Sequence, residues 1–268
     1  MKKSIGFIGG GKSARILLNA FDNRKLKFKR VVVSDVNPLV IERLKGHYPF
    51  VEAESASVAA GQGIVFLAMD QNMLMDTLAL ISSEFSSDTI IVSLAPDINF
   101  AKLALRLQNF HKIARVLPSA AGYINEAYTP VSFSSGFTQS EKDDVLDLLG
   151  NLGRAVEVPE EKLTTYSTMA AVFPAYFWHQ WKEMINMGIE LGLTEEETVD
   201  FINESVRSSL HLTYKSGLKE DQVADLMAFN PAEENENEIR EVHKRRLIDL
   251  YRRYRPARTE NASTRRTR

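Results

Sequence analysis

A glycine-rich turn near the N-terminus constrains the fold more than any other feature of this 268-residue sequence. The apolar run 4–8 leads into Gly9, Gly10 and Gly11, and apolar residues at helical spacing follow over 13–21. A strand, a tight glycine turn and a helix in this order are typical of the first unit of a Rossmann-type sheet. The unit predicts a pyrophosphate site, because the free N–H groups of the first helical turn point at an anion placed there.

The small residues of the turn and the cation beside them have separate purposes. Gly9 permits the tight bend, Gly11 leaves room for a pyrophosphate against the backbone, and Ala14 lets the helix pack close to the strand. Lys12 stands in the first helical turn, where a cation opposes the helix dipole unless an anion is bound. The alternative interpretation of Lys12 is an exposed lysine without a role.

An acidic residue, Asp35, ends the second β-branched run. A carboxylate at this place accepts hydrogen bonds from the ribose hydroxyls of NAD and repels the 2′-phosphate of NADP. Asn37, which precedes Pro38, is the better candidate for the cap of the next helix, and this leaves Asp35 free for the ribose. We therefore expect NAD as the cofactor, with NADP as the alternative, because Lys12, Ser34 and Asn37 can hold a phosphate.

A second loop, Ala68-Met69-Asp70-Gln71-Asn72, follows the apolar run 63–68. Ligands of such folds bind beyond the carboxyl ends of the strands, so this loop is expected to run along the nicotinamide side of the cofactor. Asp70 itself is better explained as the N-cap of the next helix than as a proton donor.

Strand and helix patterns alternate through the first 158 residues. The predicted strands lie at 4–8, 30–34, 63–68, 89–93, 112–117, 129–134 and 154–158, and the predicted helices at 13–21, 39–44, 73–81, 100–107 and 140–149. After Pro159 no strand pattern remains, and helical spacing continues over 169–191, 195–214 and 238–254. The sequence therefore predicts the α/β class: a Rossmann-type, mainly parallel sheet followed by an all-helical C-terminal domain.

Three segments follow from this pattern. We predict a dinucleotide-binding Rossmann domain at 1–158 and a helical dimerisation and substrate domain at 159–255. The segment 256–268 is polar and rich in arginine, and is predicted to be a disordered basic tail. The basic run 244–258 is better explained as a solvated helix face than as an anion-binding stripe.

Composition excludes several classes of protein. The net charge of −2 opposes nucleic-acid binding, and no apolar run reaches the length of a membrane span. The absence of cysteine removes thiol nucleophiles, disulfides and cysteine-ligated zinc. His179 and Glu183 share a helix face but have no evident third metal ligand, so no metal is expected. These observations indicate a cytoplasmic protein that acts on a small molecule, and the large apolar residues of the helical half indicate a homodimer.

Five stretches resemble the pyrroline-5-carboxylate reductase family in order and spacing. They are Lys3–Ala14 (KSIGFIGGGKSA), Val33–Pro38 (VSDVNP), Val65–Met69 (VFLAM), Arg115–Pro118 (RVLP) and Phe173–Tyr176 (FPAY). The resemblance implies a Rossmann domain, a helical dimerisation domain and hydride transfer from NAD(P)H to a cyclic imine. It also implies an active site between the domains and across the dimer.

The residues and the resemblance together give a set of site residues. By resemblance, the turn contacts the phosphates, Ser34 and Asp35 meet the adenosine ribose, and the 68–72 loop lines the nicotinamide side with Pro118 and Ser119 nearby. Tyr176 and Ser119 are the candidate catalytic proton donors. The predicted cofactor contacts are Gly9, Gly10, Gly11, Lys12, Ser13, Ala14, Ser34, Asp35, Asn37, Ala68, Met69 and Gln71.

The sequence departs from the family where the substrate binds. It has Leu117-Pro118-Ser119 for the family's Met-Pro-Asn, 170–175 (AAVFPA) for Ser-Gly-Ser-Gly-Pro-Ala, and 230–235 (NPAEEN) for Ser-Pro-Gly-Gly-Thr-Thr. Bare N–H groups and hydroxyls that would hold an anion are replaced by apolar and acidic residues, the acidic ones being Glu233, Glu234, Glu236 and Glu238. We therefore expect that the chain is not an efficient pyrroline-5-carboxylate reductase.

Two other functions stay open. One is a β-hydroxyacid-type dehydrogenase, which needs a catalytic lysine early in the helical domain, where the chain has Lys162 and Lys182. The other is a non-catalytic NAD(P)-binding protein that retains the turn without the chemistry.

Overall fold

The computed structural model describes residues 3–107, 110–227 and 233–254, apart from the side chains at 167, 171, 172, 174, 233 and 254. Its contacts form two compact units, and the division falls after Ala170. The second unit extends over Ala171–Asp249. The predicted domain limits stay a prediction, and the predicted disordered tail at 256–268 lies outside the described residues.

The first unit is built on one eight-stranded sheet with the order β3-β2-β1-β4-β5-β6-β7-β8. Its neighbours are parallel except for β6 and β7, which are antiparallel. The strands are β1 (Ile5–Ile8), β2 (Val31–Ser34), β3 (Val51–Ala53), β4 (Ile64–Leu67), β5 (Ile90–Ser93), β6 (Ile113–Val116), β7 (Ala127–Phe133) and β8 (Gly153–Glu157). The direction in which the chain adds strands reverses between β1 and β4, and ligands of such sheets bind at this switch point.

Helices connect these strands. They are α1 (Lys12–Asn23), α2 (Pro38–His47), α3 (Ala56–Ala60), α4 (Gln71–Ile81), α5 (Phe100–Ala104) and α6 (Gln139–Gly150). The predicted class is confirmed, and so is each predicted strand, within one or two residues. Sequence patterns missed β3 and α3, because elements of three and five residues are too short to show a period.

Two apolar layers, one on each face of the sheet, hold the helices in place. Alternate residues of β2 face opposite layers: Val31 and Val33 pack in one, Val32 in the other. Leu17 of α1 belongs to the first layer and Leu74 of α4 to the second. The helices therefore cover both faces, as the alternating pattern predicts.

The second unit contains only helices among its described residues. The chain continues from β8 into α7 (Glu160–Glu190), followed by α8 (Glu195–Lys215), α9 (Glu220–Asp225) and α10 (Glu236–Tyr254). Gly188 lies where α7 meets α8: a Cβ there would stand 2.5 Å from the side chain of Thr198. No helix in the described part of the chain is both long and apolar enough to cross a membrane.

Candidate functional site

The bend after β1 requires glycine at its first position. Gly9 has φ of +101°, and a Cβ there would lie 2.7 Å from backbone atoms of Ala68 and Met69. Its N–H donates to the carbonyl of Ser34 at 2.7 Å. The turn is therefore pressed against the carboxyl ends of both β2 and β4, at the switch point of the sheet.

Asp35 holds the middle of the turn. Its Oδ2 accepts the N–H of Gly10 at 2.7 Å, and its Oδ1 accepts the N–H of Asn37 at 2.8 Å. As predicted, Asn37 and not Asp35 caps the next helix, but both carboxylate oxygens of Asp35 accept local N–H groups. Each oxygen keeps a second lone pair, and the contact with a ribose stays a prediction.

Gly10 has a different purpose from the one predicted for it. A Cβ at Gly10 would lie 2.7 Å from Leu44 Cδ1 and 2.9 Å from Val40 Cγ1, so the residue gives α2 room to pack. Its N–H already has Asp35 as acceptor. The Gly10 N–H is therefore not free to bind a phosphate, although the residue shapes the turn that would.

The N-terminus of α1 lacks the cap that the other helices of this sheet have. Its N-cap is Gly11, no side chain caps the helix, and its first turn has no acidic residue. The N–H groups of Lys12, Ser13 and Ala14 find no acceptor among the described residues. In contrast, a side chain caps each of the helices α2 to α6. Free donors and a positive dipole end suit an anion.

Space and charge at this helix end agree with an anion site. A Cβ at Gly11 would meet nothing within 4 Å, so internal packing does not require glycine at this position. Lys12 is exposed and, among the described residues, has no carboxylate at ion-pair distance. Ala14 is fully buried, which confirms its packing role between helix and sheet. These residues fit a pyrophosphate: the turn offers donors, clearance and a cation.

Two predicted caps are confirmed. The Asn37 side chain accepts the N–H of Leu39 at 3.0 Å, and the Asp70 side chain accepts the N–H of Asn72 at 2.8 Å. Asp70 is therefore occupied in starting α4.

Several predicted residues follow the carboxyl ends of β4 and β6. Ala68 and Met69 are partly buried after β4, and Gln71 opens α4 with its Oε1 buried and without a donor. Ser119 follows β6, is partly buried, and its hydroxyl has no hydrogen-bond partner among the described residues. Parallel strands end on the same edge, so these residues share that edge with the turn.

A buried charged group was missed as a site feature by the sequence analysis. Arg115 in β6 is 1% exposed; its Nη1 donates to Glu160 Oε1 at 2.8 Å and its Nη2 to the carbonyl of Pro96 at 2.8 Å. Burial lowers the pKa of Arg115, and the charges of Glu160 and Asp97 oppose that shift. The available signal was an arginine in the apolar run IARV, where a cation needs a partner.

Tyr176 lies in the helical unit with its hydroxyl engaged. The Oη donates to the carbonyl of His243 at 3.1 Å, and the two rings meet edge to face at 4.6 Å. The hydroxyl proton is therefore held by a backbone carbonyl, which weakens the case for Tyr176 as a proton donor. Lys162 and Lys182, the lysines weighed for a dehydrogenase, are exposed on α7.

The remaining candidates are possible metal ligands and the acidic segment 230–235. Within the described ranges, no three His, Asp or Glu side chains come together as metal ligands. Of the acidic segment 230–235, residues 230–232 lie outside the described residues, and Glu233–Asn235 form a 3₁₀ turn before α10. Glu234, Glu236 and Glu238 are exposed.

Comparison with known proteins agrees with this site. Residues 4–97 match the family model "NADP oxidoreductase coenzyme F420-dependent". Pyrroline-5-carboxylate reductase of Escherichia coli (strain K12) is 24% identical over 229 residues, which cover 85% of each chain.

Solved structures show the same fold. The pyrroline carboxylate reductase of Plasmodium falciparum with NADP bound aligns with a TM-score of 0.75 and 17% identity, over 95% of this chain and 96% of that one. The 1-pyrroline-5-carboxylate reductase of Streptococcus pyogenes aligns with a TM-score of 0.76 and 16% identity, over 94% and 98%. The predicted resemblance is thereby confirmed: this chain is similar to pyrroline-5-carboxylate reductases in sequence and in fold.

Proposed function

We propose that the chain is an NAD(P)-dependent reductase that transfers hydride to the C=N carbon of a small molecule. The observation that carries this proposal is the uncapped start of α1 behind the Gly9–Gly11 bend, where the N–H groups and Lys12 have no partner in the part of the chain that the structure describes. The relatives identified above are named as reductases of a cyclic imine, which supports the same reaction type.

The cofactor would be held by the residues around the turn. The N–H groups of Lys12, Ser13 and Ala14 would bind the pyrophosphate, and Ser34 and Asp35 would face the adenosine ribose. Ala68, Met69 and Gln71 would line the nicotinamide side. Because a carboxylate next to the ribose position would repel a 2′-phosphate, we propose NAD as the preferred form, with NADP as the alternative.

The bound dinucleotide would supply the hydride, and the protein would supply orientation and electrostatics. Ser119 is the better of the two candidate proton donors, because its hydroxyl has no partner among the described residues whereas that of Tyr176 is engaged. A β-hydroxyacid dehydrogenase is less well supported, since its candidate lysines are exposed on α7.

We also propose that 1-pyrroline-5-carboxylate is not an efficient substrate. The segment 230–235 has carboxylates where the family has glycine and threonine. A carboxylate substrate would meet repulsion rather than N–H donors there. Measured kcat/KM for this imine in the range of an ordinary enzyme, above about 10⁴ M⁻¹s⁻¹, would contradict this part of the proposal.

The helical unit is proposed to pair with that of a second copy. Its helices α7 and α8 expose large apolar side chains, and two cavities of about 1160 and 430 Å³ lie along them. Carboxylates of α8 (Glu195, Glu196, Glu197 and Asp200) line the larger cavity, and the basic stretch 244–246 of α10 in a second copy offers opposite charge. An apolar surface of this extent is typical of an interface.

Light scattering tests the dimer. Phe201 is 68% exposed on α8, so Phe201→Glu is expected to convert the dimer to a monomer. Leu80→Glu is the matched control, because Leu80 is 80% exposed on α4 in the other unit. A monomeric wild-type protein at micromolar concentration would overturn the proposed pairing.

Dinucleotide titration tests the central proposal. Gly11→Asp places a carboxylate in open space at the helix end, so it should leave the fold intact and weaken NADH binding at least 30-fold. Gly46→Asp is the matched control, because a Cβ at Gly46 on α2 also meets nothing within 4 Å. If neither NADH nor NADPH binds the wild-type protein, the reductase proposal fails.

A further inference from the structure

Two acceptor oxygens without donors lie at equivalent places beyond neighbouring strands. Leu67 at the end of β4 pairs with Ser93 at the end of β5, and Gln71 and Asp97 each stand four residues beyond this pair. Gln71 Oε1 and Asp97 Oδ1 are both buried, and neither has a hydrogen-bond partner within residues 3–107, 110–227 and 233–254. Buried polar atoms are nearly always paired in native proteins, so two such acceptors at one sheet edge indicate a donor that comes from a ligand.

Two cations, Arg115 and Lys102, lie beside Asp97, but within the described residues neither donates to its buried Oδ1. The guanidinium of Arg115 directs one nitrogen to Glu160 and the other to the carbonyl of Pro96, and no described residue pairs with its Nε. Asp97 therefore interacts with Arg115 through space and not through a hydrogen bond. Lys102 Nζ donates to the backbone carbonyl of Asp97 at 3.4 Å, so the group contains two cations, Arg115 and Lys102, and two carboxylates, Asp97 and Glu160.

The place of this group matches the reacting end of the proposed cofactor. Asp97 follows β5 on the same side of the switch point as the loop that opens α4, which is the side proposed for the nicotinamide. A buried carboxylate oxygen without a donor favours a ligand that brings an N–H, and a positively charged N–H makes the stronger hydrogen bond.

We propose that Asp97 is a specificity-determining residue that accepts an N–H from a positively charged imine nitrogen, with Gln71 as the second acceptor. The substrate class is then a cyclic iminium cation without a carboxylate beside its nitrogen. This inference depends on the proposed function, because the dinucleotide is the source of the hydride.

The electron balance of this step needs no proton donor. The iminium arrives protonated, hydride from the reduced nicotinamide adds to its carbon, and the C=N π pair becomes the nitrogen lone pair of a neutral amine. The product then takes up a proton from water. This explains why neither Ser119 nor Tyr176 has to be placed as an acid at the reacting nitrogen.

Two probes of stated chemistry test the inference on the full-length protein. Pyrrolidinium and piperidinium are titrated calorimetrically into the protein saturated with NADH, and 1-pyrroline is used as substrate in steady-state assays. Asp97→Asn keeps the shape and removes the charge. It is expected to weaken binding of whichever cation binds wild type more tightly, and to raise KM for 1-pyrroline at least tenfold. The Kd of NADH is expected to change less than twofold.

Two more variants make the result specific. Asp76→Asn removes an exposed carboxylate of α4 and is expected to change neither the affinity for the cation nor the KM for 1-pyrroline. Gln71→Met removes the second acceptor and is expected to weaken binding of the same cation about threefold. If Asp97→Asn does not fold, the cation affinity of Gln71→Met tests the site instead. Wild-type protein should prefer 1-pyrroline to 1-pyrroline-5-carboxylate at least tenfold in kcat/KM, and Asp97→Asn should narrow that preference.

The outcomes separate this inference from the proposed function. If NADH binds but neither cation binds, or if Asp97→Asn and Gln71→Met both bind the cation as wild type does, the role of Asp97 is overturned and the reductase proposal stands. If no dinucleotide binds, the proposed function fails and this inference fails with it.

Discussion

Asp35 Oδ2 accepts the backbone N–H of Gly10 at 2.7 Å, across 25 residues of sequence. Removing the carboxylate leaves this N–H and that of Asn37 without their acceptor. We expect Asp35→Ala to lower the free energy of unfolding by about 2 kcal/mol, because unpaired N–H groups in a part-buried turn cost about 1–3 kcal/mol. Urea denaturation measures this loss.

The same variant also tests cofactor preference. If the carboxylate repels a 2′-phosphate, Asp35→Ala should raise the ratio of NADPH to NADH affinity at least tenfold. Ser55→Ala removes only the cap of α3, with a cost of about 1 kcal/mol, and should leave that ratio unchanged. A wild-type preference for NADPH would contradict the assignment.

Glu160 compensates the buried charge of Arg115 and also accepts the N–H of Phe100 at 2.7 Å. Glu160→Ala leaves a guanidinium that is 1% exposed without its hydrogen-bonded partner. We expect a loss of about 3 kcal/mol in stability, since breaking one side of a buried pair costs about 3–5 kcal/mol. Glu161→Ala, an exposed neighbour, should stay within about 0.5 kcal/mol of wild type.

The raised pKa of Tyr48 predicts that the protein loses stability in alkaline solution. Burial, together with Tyr123, raises the pKa of Tyr48 to about 12. The unfolded chain releases this proton near pH 10 whereas the folded chain retains it, so stability falls as the pH rises from about 10 to about 12. The loss should reach about 2–3 kcal/mol relative to Tyr48→Phe, in urea titrations at stepped pH. Parallel pH profiles for the two proteins would contradict this.

Glu141 predicts a loss of stability in acid. The ammonium of Lys112 and hydrogen bonds from Thr138 lower the pKa of Glu141 to about 2. Its ionised form stabilises the folded state above about pH 4.5, and the contribution disappears as the pH falls from there towards 2. Because the side chain is 26% exposed, solvent screening reduces the effect to about 1 kcal/mol. The Glu141→Gln protein should therefore be less stable than wild type at pH 7 and as stable as wild type near pH 2.

The sequence predicted what is local and missed what depends on distant partners. Gly9, Gly11 and Ala14 were identified because strand, turn and helix are consecutive. The partner of Asp35 was missed because the Gly10 N–H belongs to a different βα loop. Asp97 lies in the loop after β5, Arg115 lies in β6, and Glu160 begins another helix, so only the folded sheet shows that they form one charged group.

The open space around Gly11 has a consequence for mutational surveys. Heating curves of variants with another good N-cap residue at this position, such as serine or asparagine, would resemble that of the parent, because the new side chain touches no other part of the protein. A screen that measures only thermal stability would therefore score such substitutions of Gly11 as tolerated. For turnover, the proposed phosphate contact would make Gly11 one of the least replaceable residues.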